Sequence, residues 1–89
     1  MAVGWEEMRQ RLLDRVFYNF TEEQVDASTD FVADGLLDSL SVLVILGMFD
    51  DELGEGLATA HARVPDTQSM EALKLFYCRL LEDENLAAR

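Results

Sequence analysis

Apolar residues stand at Trp5, Met8, Leu12, Val16 and Phe20, with Leu13 and Phe17 beside them. Steps of three and four put these on one face, so the spacing predicts an amphipathic helix over residues 5–20. Glu6 and Glu7 in its first turn, with Arg11 and Arg15 further along, follow the sign of the helix dipole. The next stretch, Thr21 to Asp30, is polar and has no sustained period. It predicts a long loop with a helical turn at Glu22–Val25. A loop of that length in a small domain is uncommon and often functional.

Asp34-Gly35 reads as a turn, because glycine accepts the positive φ that most residues avoid. Asp38 then stands as a favoured N-cap before an apolar run from Leu40 to Leu53. Taken alone, Val42–Leu46 also reads as a buried strand, since short apolar runs are ambiguous by period. The cap before it and Met48–Leu53 after it decide for a helix from about Ser39 to Leu53, roughly 22 Å long at 1.5 Å per residue. Gly54 suits its C-terminal stop. Residues 55–65 predict a connection with one turn of helix at Leu57–His61, closed by Pro65. Asp66, Thr67 or Ser69 can cap a last helix reaching about Glu82, with Met70, Leu73, Tyr77, Leu80 and Leu81 inward. Residues 83–89 read as a polar, frayed tail. The fold class is therefore all-α. It is a small bundle of three long helices and one short one, a single domain over residues 1–89 whose core spans about 5–82.

At 89 residues and 49% hydrophobic composition the chain supports one modest core and is not disordered. The 18 acids against 7 bases leave a net charge of −11. That charge disfavours nucleic-acid phosphates and anionic membranes and favours basic partner surfaces. A lone Cys78 cannot form an internal disulfide, which points to a reducing, cytoplasmic setting. No basic, apolar signal pattern opens the chain. The run Leu40–Phe49, broken by Ser41 and Gly47, is too short for a bilayer, so no membrane insertion is expected. A calcium loop beginning at Asp30 has Gly35 correctly at its sixth position, but Val32 and Ser41 fall where oxygen-rich ligands are required. Cys78, inside the last helix, reads as a small buried hydrophobe.

Ser39 is expected at a helix tip, exposed and beside an acid. A serine so placed can be a cap, a nucleophile or a site of modification. Catalysis lacks support: there is no Gly-x-Ser-x-Gly, and His61 is the only histidine. The helix that follows is apolar almost all round, at Leu40, Leu43, Val44, Leu46 and Met48. Either the bundle grips it on two sides, or part of its surface docks a partner. On the second reading Leu46 belongs to the core and Val44 to the docking face.

Phe31, Asp34, Gly35, Leu36, Leu37, Asp38, Ser39 and Leu40 resemble the prosthetic-group site of acyl carrier proteins, in which Asp-Ser-Leu opens the second helix. The resemblance covers about residues 6–82. It implies that Ser39 carries 4'-phosphopantetheine, whose thiol holds an acyl or aminoacyl group as a thioester. Gly-Leu-Leu-Asp-Ser is similar to the form found in D-alanyl and other aminoacyl carriers. The implied protein is a free-standing, monomeric shuttle and not an enzyme. Its arm would be loaded by a phosphopantetheinyl transferase using coenzyme A and magnesium. Its cargo would come from an adenylate-forming ligase or acyltransferase and pass to downstream biosynthetic enzymes. The docking residues implied are Asp38, Leu40, Val44, Gly47 and Asp51; no metal site is implied. Ser41 and Val44 stand where fatty-acid carriers usually have acids, which leaves Asp38, Asp50, Asp51 and Glu52 as the acidic part of the face. That departure implies a dedicated partner rather than housekeeping fatty-acid synthesis. The alternative is a non-covalent helical adaptor that binds a partner helix through the same apolar surface.

Overall fold

In the computed structural model, residues 2–54 and 56–87 are described, with side chains up to residue 82. The chain forms α1 (Trp5–Arg15), α2 (Glu22–Ala27), α3 (Ser39–Leu53), α4 (Leu57–His61), a 3-10 turn (Val64–Thr67) and α5 (Met70–Ala87). No strand occurs among the described residues. The all-α reading holds, but there are two short helices and a 3-10 turn where one short helix was expected.

The first long helix stops at Arg15 and does not reach Phe20. The amides of Val16 and Phe17 both donate to the carbonyl of Leu12, at 2.9 and 3.0 Å, and this closes α1. The chain then swings Phe17 into the core, fully buried, with its ring 4.8 Å from that of Phe31. Burying a phenylalanine is worth about 1.5–3 kcal/mol, more than another solvent-exposed turn of helix supplies. Val16 and Phe20, placed on the apolar stripe by their spacing, are only half-buried.

The polar stretch after it holds more order than its lack of period suggested. Thr21 Oγ1 accepts from the Gln24 amide at 3.1 Å while Gln24 Oε1 accepts from the Thr21 amide at 2.8 Å, a complete capping box. It opens α2, which buries Val25. Arg9 of α1 donates to Glu22 and Asp26 and ties the two helices together.

Helix α3 has the expected bounds, ending at Gly54 with φ of 139°. Short α4 is held at its start by Asp50, whose carboxylate accepts from the amide of Ala58 at 2.6 Å and the hydroxyl of Thr59 at 2.6 Å. Of the three candidate caps for the last helix, Ser69 serves: its hydroxyl accepts from the Ala72 amide at 3.1 Å. Asp66 instead closes the 3-10 turn, accepting from the Arg63 amide at 2.9 Å. Helix α5 runs through Ala87 rather than ending near Glu82, because nothing between them is Gly or Pro. The remainder of the expected tail, 88–89, lies outside the described residues. The α5 face toward the core carries Leu73, Phe76, Tyr77 and Leu80, and Phe49 of α3 packs edge-on to Tyr77 at 4.9 Å. Cys78 is half-buried against this core. Among the described residues no helix is long and apolar enough to cross a membrane.

Candidate functional site

The approach to α3 is a tightly bonded loop. The carbonyl of Phe31 accepts from the amides of Leu36 and Leu37 at 2.8 and 3.1 Å, and that of Asp30 from Asp34 at 2.8 Å. Gly35 completes the turn at φ 82°, a conformation costly to any residue with a Cβ. Ser28 donates its hydroxyl to Asp34 at 2.6 Å, and Asp30 Oδ1 accepts from the Ala33 amide at 3.1 Å. Buried Phe31 and Leu37 pin the two ends into the core, and the Phe31 amide donates to the Gln68 carbonyl at 2.8 Å. The loop thus delivers Asp38 and Ser39 to a fixed place.

Asp38 is the N-cap. Its backbone is extended (φ −115°, ψ 178°), and its carboxylate accepts from the Ser41 amide at 2.8 Å. That bond, joined by a hydrogen bond to the Ser41 side chain, holds the Asp38 carboxyl below the usual carboxylate range. Ser39 is the first helical residue and is exposed. Since Asp38 does the capping, the Ser39 hydroxyl has no protein hydrogen-bond partner among the described residues. A plain cap role for Ser39 is therefore ruled out by geometry.

No family model, curated protein or solved structure matches this chain. What the site can do follows from its own surroundings.

The α3 surface divides cleanly. Ile45, Leu46, Phe49 and Leu53 are buried, whereas Leu40, Leu43 and Val44 are 72%, 57% and 52% exposed. The bundle therefore does not grip this helix all round. Gly47 and Met48 are half-buried and Asp51 is exposed. Two of the acids assigned to this face are engaged elsewhere. Asp50 is spent on α4, and Glu52 accepts from the Val3 amide at 3.2 Å and pairs with Arg11 at 3.5 Å. Asp38 and Asp51 remain.

Two grooves flank the start of α3. One, of about 350 Å³, runs toward the end of α1 between Arg15 and Tyr18 on one side and Asp38, Ser41 and Val44 on the other. The second, of about 460 Å³, has Ser39 in its wall, with Val32, Val42 and Val64 and the polar side chains of Asp30 and Gln68. Val32 and Val64 are members of the site that the sequence pattern did not single out. Each sits in a non-periodic stretch, and only the folding of the loop and the 3-10 turn against α3 brings them together.

His61 lines a different groove, with Arg63 and Arg79, so Ser39 has no imidazole beside it. Among the described residues no cluster of His, Cys, Asp and Glu could hold a metal ion. The chemistry available at Ser39 is that of a free, accessible hydroxyl. An anionic group esterified there would lie at the positive end of the α3 dipole, with an apolar trough next to it.

Proposed function

We propose that the chain is an acyl or aminoacyl carrier of the acyl-carrier-protein kind, with 4'-phosphopantetheine esterified to Ser39. The observation that carries this reading is the exposed Ser39 hydroxyl at the tip of α3, released from capping by Asp38. In loading, Ser39 Oγ forms the new P–O bond and loses its proton. The diphosphate P–O–P bond of coenzyme A breaks, and adenosine 3',5'-bisphosphate leaves with the bonding electrons. When bound, the arm supplies a thiol that holds the cargo carboxyl as an activated thioester. The protein's own part is to present Ser39 on a rigid loop and to offer Asp38, Leu40, Val44 and Asp51, with Leu43, as the face met by a transferase, a ligase or acyltransferase, and later enzymes. With so few acids left on that face, apolar contact carries the docking and charge steers it. The chain is not itself an enzyme on this reading, and it works in the cytoplasm.

Intact-mass measurement after incubation with coenzyme A, magnesium and a broad-specificity phosphopantetheinyl transferase tests the proposal. Wild type gains one arm and Ser39→Ala gains none. Modification of the alanine variant, or an unmodified wild type with several transferases, refutes it. The exposed Leu40, Leu43 and Val44 also suit a non-covalent adaptor. That alternative predicts no mass gain under any of these conditions.

A further inference from the structure

We propose that the groove between α4, the 3-10 turn and α5 binds a small carboxylate carried on an apolar body. The inference stands on where the chain puts its positive charge and holds whatever becomes of Ser39. With 7 Lys and Arg against 18 acids, free positive charge is scarce. Arg9 and Arg11 are held in ion pairs with Glu22, Asp26, Glu7 and Glu52. Lys74 shares a groove with Glu6, Asp26 and Glu71, and Arg15 shares one with Asp38. Arg63 and Arg79, by contrast, line one groove of about 490 Å³ together with His61, the only histidine. Among the described residues the one acid in its wall is Asp66.

Asp66 does not use up the guanidinium donors. Its Oδ2 accepts from the Arg63 backbone amide at 2.9 Å and lies 3.8 Å from Arg79 Nη2, beyond hydrogen-bonding reach. Neither guanidinium, nor the His61 ring, makes a hydrogen bond among the described residues. Both arginines are nonetheless placed. The Arg63 backbone is fixed through that amide at the start of the 3-10 turn, and Arg79 lies over the buried Phe76 ring at 5.4 Å. Leu57, Pro65 and Leu80 supply apolar wall in the same groove, which the hydrocarbon part of a ligand covers. Charge then decides the ligand. Two guanidinium groups against one carboxylate leave the groove one positive charge, counting His61 as neutral. A single carboxylate balances it, and its two oxygens match the planar fork of an arginine. A phosphate dianion exceeds that balance beside Asp66. An acidic protein segment or a nucleic acid is opposed by the chain's net charge of −11. A small monoanion meets little of that repulsion, because salt screens charges more than about 8 Å away.

The test titrates 3-phenylpropionate into the isotope-labelled, unmodified full chain and follows the Leu57 and Leu80 methyl and the Arg63 and Arg79 Nε–H resonances. Saturable shifts at these groups are the expected result. The alcohol 3-phenylpropan-1-ol, which keeps the apolar body and lacks the charge, should bind at least about tenfold more weakly. Arg63→Gln and Arg79→Gln should each weaken carboxylate binding at least about tenfold. Both side chains are exposed, so both variants should keep the wild-type fold, which their amide spectra report. Shifts that do not saturate, an alcohol that binds as well as the acid, or full affinity in either folded glutamine variant overturns the site. Phenyl phosphate binding more tightly than the carboxylate overturns the charge match and with it the proposed ligand.

Discussion

Val44→Glu is the substitution that separates an open docking face from a helix buried on every side. Val44 is 52% exposed, and the residues one turn away on α3, Leu40, Ser41, Gly47 and Met48, are uncharged. A glutamate there meets no like charge at three or four residues' distance, and it replaces a β-branched residue with a better helix former. Its effect on folding should therefore stay within about 0.5 kcal/mol. Leu46, two residues on and 6% exposed, is the control. Leu46→Ala removes core volume and should cost about 2–5 kcal/mol. A chain of 89 residues has a total stability of about 4–13 kcal/mol, so the control is a serious loss and the test variant is not. At roughly 4–8 °C per kcal/mol for a domain of this size, Leu46→Ala should melt on the order of 10 °C or more below wild type. Val44→Glu should melt within about 4 °C of it. Circular dichroism melts of the three proteins decide the matter. If Val44→Glu falls with Leu46→Ala, a buried unpaired charge is the cause and the docking face does not exist. If it folds, the proposed transfer of the arm to Ser39 should be slower than in wild type, because on that reading the new charge is desolvated at the contact with the transferase.

Two further outcomes follow from individual contacts. The Asp38 carboxyl, depressed by the Ser41 amide and side chain, keeps its charge at a pH where an unfolded aspartate, with a pKa of about 3.9, takes up a proton. The unfolded state then binds more protons, so this contribution is whole above about pH 3.9 and is lost as pH falls through the lower folded value. Asp38→Asn should flatten that part of the acid unfolding curve, and a Ser41 amide titrating at an ordinary aspartate pKa would contradict the assignment. Asp50→Ala removes the acceptor for the Ala58 amide and the Thr59 hydroxyl and should cost about 1–3 kcal/mol in urea unfolding. No measurable loss would mean that α4 is held by packing alone.

Elements whose ends are marked by local cap and stop residues are legible from sequence. Helix α3 announced itself through Asp38, its run of apolar residues and Gly54, and its observed bounds are the expected ones. Leu57–His61 likewise needed only its own residues. The end of α1 was hidden because Val16, Phe17 and Phe20 are all apolar, and period alone cannot say which of them the core takes. The answer depends on Phe31, fourteen residues later in the chain, against which Phe17 packs. Helix α2 was undervalued for a different reason. Its hydrophobic signal is the single buried Val25, while its order comes from Thr21-x-x-Gln24, a pattern visible in the sequence but not in its hydropathy. The site shows the same division. Asp38 and Ser39 follow from local cap chemistry, whereas Val32 and Val64 join Ser39 only through tertiary folding.

That division bears on how α3 is oriented at all. A helix with apolar residues around most of its circumference has no strong preference for which side it buries, and its own pattern permits several rotations. Contacts at its two ends match one of them. At the start, buried Phe31 and Leu37 anchor the loop and Asp38 fixes the first turn through Ser41. Near the end, Asp50 is committed to α4 and Glu52 to Val3 and Arg11, which sets the angular position of the last turn. In that rotation Ile45, Leu46, Phe49 and Leu53 turn inward, and Leu40, Leu43 and Val44 are left facing water. The end contacts agree with that orientation, and the packing of Phe49 on Phe76 and Tyr77 holds it. Turning the helix to bury Leu40, Leu43 and Val44 would expose Ile45, Leu46, Phe49 and Leu53, at about 1.5–3 kcal/mol for each side chain, so the loss of one polar contact at either end should leave its orientation unchanged.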